Sequence, residues 1–247
     1  MIDAVFISDL HLHPQRTDIQ ERFNKFITWC KTVSIKRIYI LGDFFHAWAG
    51  DDSIDDWSRS IAQQLQELIL LDIQLFYMHG NRDFLLGHEF AKLAGWTILP
   101  EPTLIELGKE KVLLVHGDRY CIKDKAHQRF RRLTRNSLFS WLFLCLPLTF
   151  RLKLVNKVRK ISKNNQHKTM EQMDVSVESV MQHMEKMNVK ILIHGHTHKP
   201  GLSSYNIKNE KIRRYVLSDW DDIPWLLCYH NTNEYNFDHD WSLRVLK

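Results

Sequence analysis

At 247 residues the chain has room for one domain with an insertion, and its core is large enough to need no disulfide or structural metal for size alone. It is 44% hydrophobic and 26% charged, an ordinary balance for a soluble globular protein, and its net charge of +5 is too small to name a partner until its distribution is known. Cys30, Cys121, Cys145 and Cys228 show no short paired spacing, which speaks against a zinc-thiolate site and favours reduced thiols in a cytosolic compartment.

Met1 to Leu12 lacks a basic segment followed by an apolar run and a cleavage site; it reads as a strand, and no cleaved export signal is expected. Five short apolar runs read as buried strands: AVFIS (4–8), RIYIL (37–41), QLFYM (74–78), KVLLV (111–115) and KILI (190–193). Between the first three, residues 18–33 set Ile19, Phe23, Phe26, Ile27 and Cys30 near helical spacing, and residues 55–71 do the same with Trp57, Ile61, Leu65 and Leu68. Strands alternating with helices imply an α/β layout. The longest apolar stretch, LFSWLFLCLPLTF (138–150), is shorter than the roughly 20 residues a spanning helix needs, and Pro147 interrupts it. Beyond Gly201, RRYVL, PWLLCYH and the segments around Tyr235 and Arg244 read as a terminal β-meander. There is no internal repeat, low-complexity tract or Gly/Ser linker.

Each apolar run ends in a polar cluster. The first leads to Asp9-Leu10-His11, the second to Gly42-Asp43 and the third to Gly80-Asn81-Arg82-Asp83. The fourth leads to His116-Gly117-Asp118 and the fifth to His194-Gly195-His196-Thr197-His198. Sites in open α/β sheets assemble beyond the carboxyl ends of strands, so these clusters converge on one edge. The inventory is Asp9, His11, Asp43, Asn81, His116, His196 and His198. Seven donors exceed what one divalent ion takes; two ions sharing a bridging carboxylate use them all. Mixed oxygen and imidazole donors suit manganese, iron or zinc. Two such ions clamp the attacking and leaving oxygens of a displacement and acidify a water.

D-x-H, G-D, G-N-x-D, H-G-D and H-G-H-T-H in this order resemble the calcineurin-like metallophosphoesterases. The resemblance implies a two-sheet αββα core. It assigns Asp9, His11, Asp43 and His198 to one metal and Asp43, Asn81, His116 and His196 to the other, with Asp43 bridging. Many relatives carry His after the motif Asn; here Arg82 stands there. A guanidinium offers a planar fork of donors for phosphate oxygens and does not release a proton at working pH. That suits two linked phosphates, one of which departs as a stable anion. The competing reading is an Arg82 that only pairs with Asp83.

About 70 residues separate Asp118 from the fifth strand, far beyond a usual connection. Between Lys123 and Lys168 there are thirteen Lys or Arg and one acidic residue, Asp124, so the rest of the chain is net acidic. The same stretch carries the 138–150 apolar run, a pattern that resembles an interfacial helix pair. A cap packed on the core with a solvated basic face is the plainer alternative. Nucleic-acid binding fits poorly, because base stacking needs spaced, exposed aromatics. The expected division is a core of residues 1–120 and 170–247 with a basic, apolar helical cap at 121–169.

Taken together, SDLHL (8–12), LGDFFHAWAGDD (41–52), HGNRDFLLG (79–87), FLCLPL (143–148), the basic cap up to MDV (173–175) and HGHTHKP (194–200) resemble the UDP-2,3-diacylglucosamine pyrophosphatases of lipid A biosynthesis over nearly the whole chain. The resemblance implies a manganese-dependent hydrolase with two divalent ions. It implies attack of activated water on the α-phosphorus, giving UMP and 2,3-diacylglucosamine 1-phosphate. Asp43, Asn81, Arg82, His116 and His196 would be catalytic. Asn81, Arg82, Asp124, Arg159, Ser162, Asn165, Lys168 and His196 would contact substrate. The cap is one residue shorter than the family pattern between Ser162 and Lys168, so Asn164 competes for the place of Asn165. His46 stands where the family carries an acid, and Ser218 where it carries Gly. The expected partners are a nucleotide-activated diacylated sugar lipid and the inner face of the inner membrane, held peripherally from the cytoplasm, with no nucleic acid and no obligate protein partner. A phosphodiesterase or nuclease of the same superfamily, or a non-catalytic scaffold, are the alternatives. His13, His46, His79, His88, His127, His167, His183, His230 and His239 lack ligand spacing and are expected to be structural or exposed. His194 is expected to orient a ligand imidazole. Trp48 and the Asp51-Asp52 pair are expected to shape the site rather than catalyse.

Overall fold

The computed structural model describes residues 1–164, 174–207, 210–231 and 240–246, with side chains described outside 161–164 and 207. Two sheets face each other. The first has strand order β11-β10-β1-β2-β3-β4, with β1 (Ile2–Ile7), β2 (Ile35–Leu41), β3 (Gln74–Met78), β4 (Thr97–Leu99), β10 (Trp225–Tyr229) and β11 (Trp241–Val245). β1 to β4 run parallel, and β10 and β11 are antiparallel additions. The second has the order β5-β6-β7-β9-β8, from β5 (Thr103–Leu107), β6 (Glu110–Leu114), β7 (Ile191–His194), β8 (Gly201–Ile207) and β9 (Glu210–Val216).

Alternation along β1 shows how the layers form. Ala4 and Phe6 point to the space between the sheets, where they meet Tyr39, Leu41 and Met78 of the same sheet and Val112, Leu114, Ile191 and Ile193 of the other. Val5 and Ile7 point outward, under α1 (Thr17–Thr32), α2 (Asp56–Ile69) and α3 (His88–Ala94). On the far side of the second sheet, Leu113 and Leu192 pack with Val180 and Met184 of α7 (Val177–Met187). Strands covered on both faces read as unbroken apolar runs, which is why the five runs stand out in the sequence. Phe6 stacks on Tyr39 at 5.0 Å and Tyr39 on Phe76 at 4.8 Å, so one aromatic ladder ties three parallel strands.

The αββα architecture is as expected, and so are the helices at 18–33 and 55–71. The latter starts with a capping box in which Asp55 accepts from Ser58 N and Ser58 Oγ accepts from Asp55 N. The terminal β-meander is not what forms. β8 and β9 make a hairpin in the second sheet, and β10 and β11 make a hairpin in the first. Local apolar patterning is the same for either sheet, and pairing with β7 or β1 is decided by distant partners. Tyr235 lies outside the described residues.

Three helices follow the fourth ligand loop: α4 (Lys125–Thr134), α5 (Ser137–Leu144) and α6 (Leu148–Asn164). α5 buries none of its residues; Leu138 is 61% exposed and Trp141 62%. Arg151 at the start of α6 is instead buried. Its guanidinium binds the Leu146 carbonyl at 2.8 Å, the Ala49 carbonyl and the Asp52 carboxylate, and so fastens α6 to the loop after β2.

Candidate active site

The clusters that end β1, β2, β3, β6 and β7 come together at the carboxyl ends of both sheets. Asp43 is the centre of the geometry. Its Oδ2 lies 3.3 Å from His11 Nε2 and its Oδ1 lies 3.8 Å from His116 Nε2, so one carboxylate spans two imidazole groups. On the first side, Asp9 Oδ1 lies 3.4 Å from His198 Nε2 and 3.9 Å from His11 Nε2. On the second, His116 Nε2 lies 3.1 Å from Asn81 Oδ1, and the His196 ring lies 5.2 Å from that of His116. All seven sequence-predicted donors are therefore in one place.

The backbone is bent to achieve this. Asp9, His11, Asp43, His196 and His198 have φ of 55°, 54°, 53°, 69° and 54°, the left-handed region that side chains disfavour. Hydrogen bonds hold it there. Asp9 N donates to the Gly42 carbonyl at 3.0 Å and His11 N to the Asp43 carbonyl at 2.9 Å, while His196 N donates to Asp9 Oδ2 at 2.8 Å. Asp83, fully buried, accepts from the N–H groups of Gly80, Asp43, Phe44 and Phe45, which joins the loops after β2 and β3. A Cβ on Gly42 would meet the Gly80 backbone at 2.6 Å, so this close approach requires glycine.

The electrostatics follow from burial and proximity. Burial alone would raise the carboxyls of Asp9 and Asp43, but His198 and His116 beside the first and His116 and His11 beside the second hold both well below the usual carboxylate range. Burial opposes the charge of His116, yet Asp43 and Asp9 raise it to about 9. Burial likewise opposes His198, and Asp219 and Asp9 raise it to about 10. His196 is pushed down to about 3 by burial and then by His116.

These residues fit a pair of divalent ions. Asp9 Oδ1 is buried and has no well-formed hydrogen bond, only His198 Nε2 at 3.4 Å and His11 Nε2 at 3.9 Å, so a cation shared among these atoms would satisfy it. Asp9, His11 and His198 bring one donor atom each within 4.8 Å of one another, and so do Asp9, Asp43 and His116. His116 Nδ1 donates to the Leu41 carbonyl at 2.8 Å, which leaves Nε2 aimed into the site. Asp219 Oδ2, 2.9 Å from His198 Nδ1, does the same for that ring.

Arg82 pairs with the central carboxylate rather than with Asp83. Its backbone N–H donates to Asp43 Oδ1 at 2.8 Å and its Nε lies 3.3 Å from Oδ2. From the inserted helices, Asp124 starts α4 by accepting from His127 N, and half-buried Arg159 of α6 donates to His46 Nδ1 at 2.8 Å. Ser162 lies on α6 with its side chain undescribed, and Asn165 and Lys168 lie outside the described residues.

Of the histidine expectations one changes, that for His194; His46 and His127 make protein contacts. His46 contacts Arg159 at the rim, and the His127 ring lies 5.3 Å from that of His196, with Nε2 3.8 Å from Asp118. His194 makes its hydrogen bond to the Gly195 carbonyl at 2.8 Å, so it fixes its own turn instead of a ligand imidazole. Sequence reading missed Asp219, although it lies just past the end of β9, because the run RRYVL carries no recognised motif after it; His127 was set aside because it lies on a helix among basic residues. Asp51 accepts from Trp48 Nε1 and from the N–H groups of Gly87, Glu89 and Phe90, and so joins the loop after β2 to the start of α3.

The sequence pattern of the calcineurin-like phosphoesterases matches residues 3–200. The chain belongs to the calcineurin-like phosphoesterase family. Among its relatives is the UDP-2,3-diacylglucosamine hydrolase of Pseudomonas aeruginosa, 44% identical over 227 residues that cover 92% of this chain and 94% of that protein. The enzyme of the same name from Pseudomonas putida is 43% identical over 224 residues, 90% of this chain and 93% of that one. Among solved structures, an archaeal phosphodiesterase aligns over 98% of each chain with 12% identity and a TM-score of 0.49. As a calcineurin-like phosphoesterase, the chain is a metal-dependent hydrolase.

Proposed function

We propose that the chain hydrolyses the pyrophosphate bond of UDP-2,3-diacylglucosamine, releasing UMP and 2,3-diacylglucosamine 1-phosphate for lipid A biosynthesis. The observation that carries this is Arg82 set against Asp43, with Arg159 of the inserted helices on the same side. Two fixed cations beside a metal centre match a diphosphate. The end-to-end similarity to hydrolases of that name supports the same substrate.

Asp9, His11, Asp43 and His198 would hold one ion, and Asp43, Asn81, His116 and His196 the other. Two manganese ions there would acidify a water and draw charge from the phosphate oxygens. Asp43 positions both halves of the donor set. Arg82 forks onto the phosphate oxygens and stays charged throughout, so it stabilises the developing negative charge without passing a proton. A leaving group that departs as a phosphate monoester needs no proton donor. Asp124, Arg159, Ser162, Asn165, Lys168 and His196 complete the substrate contacts.

We read residues 121–169 as a cap over the core, with the exposed face of α5 turned to the acyl chains and to the inner membrane from its cytoplasmic side. No described helix is long and apolar enough to cross a membrane. The exposed Leu138 and Trp141, with basic residues on both flanks, support peripheral attachment.

The test is hydrolysis of the lipid with added manganese in isotopically heavy water, read by mass. Heavy oxygen in UMP is expected. Label in the lipid phosphate would overturn attack at the α-phosphorus, and no turnover by metal-loaded protein would overturn the substrate.

A further inference from the structure

We propose that His46 is a positioning residue for this reaction: its Nδ1 fixes the guanidinium of Arg159, so that an arginine from the inserted helices and Arg82 from the core face one diphosphate. This rests on the function proposed above.

The chemistry of the contact is one-directional. A guanidinium has only donors, so the 2.8 Å contact from Arg159 Nη2 makes His46 Nδ1 an unprotonated acceptor and puts the ring proton on Nε2. Burial, and then Arg159 itself, hold His46 down at about 3, so this neutral tautomer persists at any working pH. The ring is well mounted. His46 N donates to the Leu12 carbonyl at 2.9 Å, Leu12 bridges Phe45, and the His13 ring packs edge-on at 5.1 Å. The acceptor therefore stands on the same loop as Asp43, three residues on.

Arg159 needs such an anchor. It reaches the site from a long helix whose neighbouring residues are largely exposed, and a free arginine side chain there would sample many rotamers. Burial and then Arg82 lower its guanidinium to about 10, with Asp43 opposing them. Two cations are thus held in mutual repulsion at one rim, a state that an anion with two charged groups relieves. The acid that the family pattern carries at this position would hold Arg159 as an ion pair. A neutral imidazole holds the direction and leaves the full charge for substrate.

The experiment is a double-mutant cycle on metal-loaded enzyme with UDP-2,3-diacylglucosamine, using His46→Ala, Arg159→Ala and the pair, with His46→Asn as the variant that restores an acceptor. We expect His46→Ala to lower kcat/KM about tenfold through KM, Arg159→Ala to lower it about a hundredfold, and the pair to match Arg159→Ala alone. His46→Asn should recover most of the loss, with bound manganese and melting temperature unchanged in all four. Additive losses, a silent Arg159→Ala, no recovery with Asn, or loss of manganese in His46→Ala would each overturn the assignment. If the wild type does not hydrolyse the lipid, the functional reading fails by itself. The same cycle is then read as UDP affinity by calorimetry, where coupled losses keep the positioning role and additive losses overturn it.

Discussion

At the scale of single residues, five of the seven metal-donor candidates sit with positive φ. A side chain in that region costs about 1–2 kcal/mol, which glycine avoids. His198 is partly exposed, so replacing it removes little packing. In metal-free protein, His198→Gly should therefore be more stable than His198→Ala by about 1 kcal/mol in denaturant titrations, while both lose manganese. Equal stability would mean the backbone is not constrained there. Arg82→Lys tests the fork: an ammonium keeps the charge but offers no planar pair of donors, and kcat/KM should fall by about a hundredfold or more. An unchanged value would reduce Arg82 to a point charge. The donors themselves were legible because Asp and His recur at the ends of apolar runs. Asp83 was visible as the last residue of G-N-x-D but not its role of collecting backbone N–H groups, and Asp219 was not visible, since a carboxylate that orients a ring carries no spacing of its own. That Arg82 meets Asp43 rather than Asp83 was not legible, because the contact depends on how two loops meet.

Among elements, legibility tracked length and burial. The helices α1 and α2 were visible from periodicity, and the five doubly covered strands as unbroken apolar runs. β4, with three residues, and α3, with seven, are too short for any period to emerge. The inserted helices were foreseen as a basic, apolar block, but their attachment was not. Arg131 and Arg135 tie α4 to Asp118, Glu101 and the His79 carbonyl, and the start of α6 is held by Arg151, which is buried against Ala49 and Asp52 while its sequence neighbours face solvent. Arg151→Met should leave the Ala49 carbonyl without its donor and destabilise this junction by about 1–3 kcal/mol. Limited proteolysis between 121 and 169 should then be faster with the core left intact. The opposing wall is as tight: Gly50 has φ of 120°, and a Cβ there would meet Leu144 at 2.7 Å. Protection unchanged in Arg151→Met would show that α6 is held by other contacts.

For the whole molecule, the metal centre joins the two sheets. Asp9, Asp43 and Asn81 follow strands of the first, and His116, His196 and His198 follow strands of the second. Ions bound between them stabilise the folded state by mass action, roughly 4 kcal/mol at a thousandfold excess over Kd. At about 2–4 °C per kcal/mol for a chain of this size, chelation should lower the melting temperature by about 10 °C and readdition of manganese should restore it. A melting curve indifferent to chelator would dissociate the centre from the fold. The central strand adds a consequence of its own. β1 pairs with β2 on one side but with β10 on the other, Ala4 opposite Tyr229. During synthesis, more than two hundred residues must leave the ribosome before that second edge is closed. The nascent chain exposes an apolar strand edge for most of its translation, and nascent-chain pulldowns should find chaperones on this protein until β10 emerges.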